Sequence, residues 1–287
     1  MENLPRNGKK QPFLARLASA RKRRQGHKAV EVANEVNLWA EKQTNGLIKQ
    51  ILPATATAAI EDRNLIFANA VYFKGEWSQK FHRSTTKESD FHLLDGNKVQ
   101  VPFMTNMEQQ LVKEYDDFKV LGLPYKHGQD KRQFTMYIFL PNAKDGLQSL
   151  VRRVGSSSDF LDRHIPYQIV DVAKFFIPTF KISFGFEAAK MLKELGAVSR
   201  DVDDFTEIVE LCYDNSLYVS TIHHKSFVEV NEDGTIAVAA SALVADSIRE
   251  VNFVADHPFL FVIREDVSGT LLFMGHVINP HVGLEGS

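Results

Sequence analysis

Cysteine is almost missing: Cys212 is the only one in 287 residues. A single thiol excludes an intramolecular disulfide and a thiolate-rich metal site, and its ordinary role is that of a small buried apolar residue. No apolar run reaches the ~18 residues that a membrane-spanning helix needs. Residues 1–30 lack the apolar stretch of a signal peptide, so the chain as given is expected to be cytoplasmic. The phosphate-binding glycine loop, the dinucleotide-binding glycine fingerprint and the His-Glu-x-x-His zinc motif are also absent. Gly155-Ser156-Ser157-Ser158 lacks the second glycine of a nucleophile elbow and reads as a serine-rich loop. His223 and His224 are adjacent on an expected strand, so they point to opposite faces, cannot share a metal, and one of them faces the interior. These absences argue against an enzyme, a cofactor, a metal centre and a membrane protein.

What is present is a large globular chain. Hydrophobic residues make up 44% of it, enough for a sizeable core. The net charge of −2 hides an asymmetry: residues 1–28 hold nine Lys/Arg against Glu2 alone, a local +8, which leaves −10 on the remainder. The run Arg21-Lys22-Arg23-Arg24 is read as part of a solvated, poorly ordered terminus, and no nucleic-acid partner is expected. The expected organisation is therefore a basic segment at 1–28 and one domain over 29–287, without internal repeat or linker.

Periodicity supplies the elements. Val32, Val36 and Trp39 recur at helical spacing between Val30 and Leu52, with Gly46 interrupting and Pro53 beyond. Residues 64–73 are apolar on both alternating faces, which describes a strand covered on both sides. Asn69 is the polar exception, and a buried amide requires a hydrogen-bond partner from elsewhere in the chain. Further strands are expected at Phe91–Leu94, Val99–Met104, Phe118–Pro124 and Phe134–Leu140. A short helix carries Leu147, Leu150, Val151 and Val154 on one face and stops at Gly155. Val172–Ile182 is expected to be a strand, with Pro178 marking an edge or a bulge. A helix at Glu187–Leu195, a long strand at Ser216–Asn231, and a hairpin of Phe259–Arg264 with Thr270–Ile278 complete the set. The absence of regular strand–helix alternation points to an α+β fold, mainly antiparallel sheets with a few packed helices.

Four segments taken together resemble the serpin family. They are Asn69-Ala-Val-Tyr-Phe-Lys-Gly75-Glu-Trp77, Glu229-Val-Asn-Glu-Asp-Gly-Thr235, Phe253-Val-Ala-Asp-His-Pro-Phe259 and Phe273-Met-Gly-His-Val-Ile-Asn-Pro280, in the family's order and spacing. The resemblance runs from Val30 to Pro280 and covers the family's C-terminal portion from about helix F onward. Thr44-Asn-Gly-Leu-Ile-Lys-Gln-Ile-Leu52 and Asp90-Phe-His-Leu-Leu-Asp-Gly96 are closest to plant serpins of the serpin-Z type. The resemblance implies a partial serpin fold with a reactive-centre-like loop, a serine or cysteine protease as partner, and an extracellular location as the family-based alternative. It also implies a suicide mechanism, in which a protease cleaves an exposed loop that then inserts as an extra strand into a central sheet.

Carried onto this chain, the loop hinge runs from Glu232 through Gly234, Thr235, Ala237 and Ala239 to Ser241, and the reactive-centre bond is Arg249–Glu250. Insertion falls between the strands at 64–75 and 216–231, and Asn69 and His224 match the family's hydrogen-bonded shutter pair. An inserting strand buries alternate side chains, and Thr235, Ala237, Ala239 and Ser241 are all small on one parity. Two departures point to a non-inhibitory member. The elements before helix F are replaced by the basic segment, which leaves the 64–75 strand expected at a sheet edge. Only Glu250, Val251 and Asn252 separate Arg249 from the matched strand beginning at Phe253, a tether of roughly 10 Å. The alternative is an active inhibitor of an Arg-specific serine or cysteine protease.

Overall fold

The computed structural model describes residues 16–19, 27–54, 65–128, 132–196, 219–232 and 251–281. In chain order they form strand β1 (Arg16–Ser19), helix α1 (His27–Gln43) and strands β2 (Leu65–Phe73), β3 (Lys87–His92), β4 (Lys98–Met104), β5 (Gln110–Glu114), β6 (Phe118–Pro124) and β7 (Phe134–Pro141). Helices α2 (Leu147–Ser156) and α3 (Phe160–Arg163) follow, then strands β8 (Ile169–Val170), β9 (Val172–Pro178) and β10 (Phe180–Glu187). Helix α4 (Ala189–Glu194) precedes strands β11 (Val219–Val230), β12 (Val251–Val254), β13 (Phe259–Glu265) and β14 (Leu271–Val277). The fold is α+β, with antiparallel and parallel pairings mixed. The chain divides into two compact units, one of residues 1–73, 182–228 and 286–287, the other of residues 74–181 and 229–285.

The first unit is built on a sheet of order β1-β2-β11-β10. Helix α1 lies on one face of it. Ala33 and Ala40 of α1 bury against Ala68 and Ala70 of β2, and these small residues let helix and sheet approach closely; Ile48, Ile51, Leu52 and Phe227 fill the rest. The end of α1 is written in Thr44-Asn45-Gly46. The Thr44 hydroxyl receives the Ile48 backbone N–H at 2.9 Å, while Asn45 and Gly46 take the left-handed conformation, at φ 52° and 82°, that closes a helix. Asn37 secures the chain beyond: its Oδ1 accepts from the backbone N–H groups of Ile51 and Leu52, each at 2.9 Å.

The sequence places β2 at an edge, and the structure does not. β1 pairs antiparallel with β2, Leu17 opposite Asn69, so β2 lies between β1 and β11. The segment Arg16-Leu17-Ala18-Ser19 contains neither Gly nor Pro, and any such extended stretch can satisfy the free N–H and C=O groups of a strand edge. The Lys/Arg content around it conceals that capacity.

The second unit packs a sheet of order β14-β13-β7-β6-β5-β8 against one of order β12-β9-β4-β3. Phe180 and Phe91 meet Phe259 with ring centroids 5.8 and 6.5 Å apart. Helices α2 and α3 cover the other face of the larger sheet, with Leu147, Leu150 and Phe160 on Phe118, Phe139 and Leu260. Strand β7 is buried at every position from Phe134 to Pro141, which explains why its apolar run does not alternate. Val172–Ile182 is not one strand with a bulge. It splits at Thr179 into β9, an inner strand of the smaller sheet, and β10, in the sheet of the first unit. Pro178 has no N–H with which to continue the ladder, and the Thr179 N–H donates instead to Pro102 O at 2.9 Å. The expected terminal hairpin forms, Phe259 opposite Val277, with Gly269 at φ 75° in its turn. Hydrogen bonds from Ser268 hold the Glu265 carboxyl at about 2 and fix that turn in its ionised form.

Candidate functional site

The parallel seam between β2 and β11 places each residue of one strand opposite its counterpart on the other, from Ile222 with Phe67 to Val228 with Phe73. Asn69 and His224 are register partners, and Asn69 Nδ2 lies 3.2 Å from His224 Nδ1. The amide N–H donates, so the imidazole is neutral at Nδ1 and carries its proton on Nε2. Burial holds the His224 pKa below its ordinary value, in keeping with that neutral form. The Phe186 ring sits 5.5 Å from the imidazole.

His223, one residue earlier, pairs with Ala68, whose side chain packs in the cluster with α1. Its Nε2 is buried without a hydrogen-bond partner among the described residues. Burial lowers its pKa, and the nearby Glu187 carboxylate opposes this only in part. Among the described residues, no group of three or more His, Cys, Asp or Glu is placed to hold a metal, and no helix is long and apolar enough to cross a membrane.

Where β11 ends, the chain is held at several points. Trp77 Nε1 donates to Asn231 O at 2.8 Å, and the Trp77 indole stacks on Tyr125 with centroids 4.4 Å apart. Glu232, the first residue of the expected hinge, accepts a hydrogen bond from the Thr86 hydroxyl at 2.8 Å. The other residues of the expected hinge, Gly234, Thr235, Ala237, Ala239 and Ser241, and the expected reactive-centre bond Arg249–Glu250, lie outside the described residues, as does Cys212.

The chain after that bond is fixed from Val251 onward. Val251 is the register partner of Val172 on β9, and Phe253 is fully buried. Beyond β12, His257 is buried with both ring nitrogens engaged, Nδ1 to Asp256 Oδ1 and Nε2 to Pro141 O, each at 2.7 Å. Both partners are oxygen atoms, one of a carboxylate and one of a backbone carbonyl. Burial pushes the Asp256 carboxyl up, but the hydrogen bond and charge of His257, with Lys144 and His92, outweigh it and bring the pKa below the ordinary value. Sequence reasoning missed the Thr86–Glu232 and His257–Pro141 contacts. His257 stood in plain view between Asp256 and Pro258, a histidine next to an acid in an otherwise apolar stretch, but its partner Pro141 is 116 residues away.

The fold and the seam define an α+β protein of mixed sheets whose site is a pair of parallel strands joined by a polar contact, with a small-residue segment following one of them. The chain belongs to the serpin family: residues 17–280 match the family described as Serpin (serine protease inhibitor). It is a plant-type serpin, closely related to serpin-Z members, and its family is one of protease inhibitors, not of enzymes. It is 52% identical to Serpin-ZXA of Oryza sativa subsp. japonica over 260 residues, which is 88% of this chain and 65% of that protein. It is 53% identical to Serpin-ZX of Arabidopsis thaliana over 263 residues, 88% of this chain and 66% of that one. A solved structure of Arabidopsis AtSerpin1 in its native stressed conformation superposes with a TM-score of 0.78 at 52% identity, covering 88% of this chain and 66% of that chain. The chain thus spans just under two thirds of the length of these relatives.

Proposed function

We propose that this chain is a serpin whose inhibitory outcome has been lost: proteases cut its loop slowly and, where they do cut it, as a substrate. The observation that carries this reading is the anchoring of β12. Val251 is already paired to β9, so Glu250 alone separates Arg249 from a strand held in a sheet. That is roughly 3.3 Å of free chain. A protease must draw extended substrate into its cleft on both sides of the bond, and here the distal side is fastened to the fold.

The proximal side tells the other half. Glu232 tethered to Thr86 and the small parity of Thr235, Ala237, Ala239 and Ser241 suit a strand that enters between β2 and β11. The seam with Asn69 and His224 supplies both neighbours for it. These features favour the second reading, active inhibition of an Arg-specific serine or cysteine protease. Incubation with trypsin decides between them. Clipped chain with undiminished protease activity supports substrate behaviour. An SDS-stable covalent adduct, with a large gain in thermal stability of the clipped chain, overturns it.

A further inference from the structure

Glu229 is held from both sides. Its carboxylate lies 3.1 Å from Lys181 Nζ and 3.7 Å from Lys74 Nζ, and it accepts a hydrogen bond from Asn231 Nδ2 at 3.2 Å. The Glu229 side chain is 11% exposed, whereas the two lysines are 43% and 45% exposed. The lysines come from opposite neighbours of β11: Lys181 is on β10, and Lys74 directly follows β2. The last paired residues of the seam are Phe73 and Val228. Lys74 and Glu229 are the next residue on each side, close to the point where Glu232 begins the hinge.

Neighbouring strands lie about 4.8 Å apart, and a strand entering between β2 and β11 would move them to roughly twice that. An ion pair across the seam cannot survive such a change. An ion pair between β10 and β11 can, because those strands stay adjacent. On the reading that the loop enters this seam, we infer that Lys74 and Glu229 form an electrostatic latch across its entrance. Lys181 holds the Glu229 carboxylate in place whether the latch is closed or open.

The latch is partly exposed, so salt weakens it. Hydrogen exchange on the intact, uncleaved chain tests it without any need for inhibition. In Glu229→Gln and Lys74→Gln, the backbone amides of residues 70–73 and 225–228 should exchange roughly two- to fivefold faster than in the wild type. Lys181→Gln, which removes a lysine of similar exposure from the other neighbour, should leave residues 70–73 at the wild-type rate. About 1 M salt should bring the wild type toward the Lys74→Gln rate. Equal effects of Lys74→Gln and Lys181→Gln on residues 70–73, or no effect of Lys74→Gln, would overturn the latch. A clipped wild-type chain that gains no thermal stability would overturn loop entry instead, and the exchange pattern would still decide whether the seam is latched.

Discussion

Asn69 and His224 are 155 residues apart in the chain and 3.2 Å apart in the structure, side by side on parallel strands with the amide donating to Nδ1. Removing the donor in Asn69→Ala leaves a half-buried ring nitrogen without its partner. Such a loss costs about 1 kcal/mol, seen as a lower thermal midpoint. Asn69→Asp is more informative. A carboxylate at that position favours the protonated imidazole, so the variant should lose stability as pH rises, opposite to the wild type.

The pH dependence of the wild type follows from both histidines. Burial holds His223 and His224 below the ordinary 6.5. As pH falls below about 6.5 the unfolded chain takes up protons that the folded chain refuses, and the balance shifts toward unfolding. Stability is therefore full above that value and declines beneath it. Thermal unfolding between about pH 7.5 and 5.5 should show this decline, and the double variant His223→Gln/His224→Gln should flatten it. An unchanged slope in the double variant would show that other groups carry the effect.

His257 makes a prediction of the same sign for its neighbour, in a more acid range. Because the Asp256 pKa is depressed, its contribution is present above the ordinary value of 3.8 and is lost as pH falls through the folded one. His257→Phe removes the largest lowering cause, leaving Lys144 and His92 near the Asp256 carboxylate, and takes the imidazole away from Pro141 O. A loss of about 1–3 kcal/mol at neutral pH is expected, together with a shallower acid limb. Urea unfolding at neutral and acid pH measures both.

Two glycines should respond to alanine with opposite signs. A Cβ at Gly275 would lie 2.9 Å from Cε1 of Phe261, a 3% exposed ring also packed against Phe180. Gly275→Ala should destabilise the protein by about 1–3 kcal/mol. Gly155 stands in α2 with nothing within 4 Å of an added Cβ. Gly155→Ala should stabilise it by roughly 0.5–1 kcal/mol, through lower entropy of the unfolded chain. Denaturant midpoints at unchanged m-value test both.

The short tether predicts a gain of cleavage on lengthening. A flexible Gly/Ser insert of about six residues between Arg249 and Glu250, roughly 20 Å of extended chain, should speed cutting by an Arg-specific protease. Arg249→Ala should abolish cutting at that bond. If the insert leaves the cleavage rate unchanged, anchoring of β12 is not what limits access.

Features that depend on neighbours along the chain were legible in the sequence. Apolar runs and their flanking turn residues located β6, β7 and the terminal hairpin, and Gly46 marked an interruption in the helical stretch that was expected to run on toward Pro53, whereas α1 ends at Gln43. The unbroken burial of β7 followed from an apolar run with no polar face. The need of Asn69 for a partner was legible because a buried amide is costly wherever it lies, and family resemblance supplied His224. Pairing between distant segments was another matter. The strand β1 was hidden by surrounding Lys and Arg, since backbone hydrogen bonds to an open edge require no particular side chains. Pro178 announced an irregularity, but only the pairing partners on either side show that the chain leaves one sheet there and enters another. The hold of Pro141 on His257 and of two lysines on Glu229 was decided by tertiary structure alone, because ion pairs and side-chain hydrogen bonds depend on distances that local periodicity does not encode.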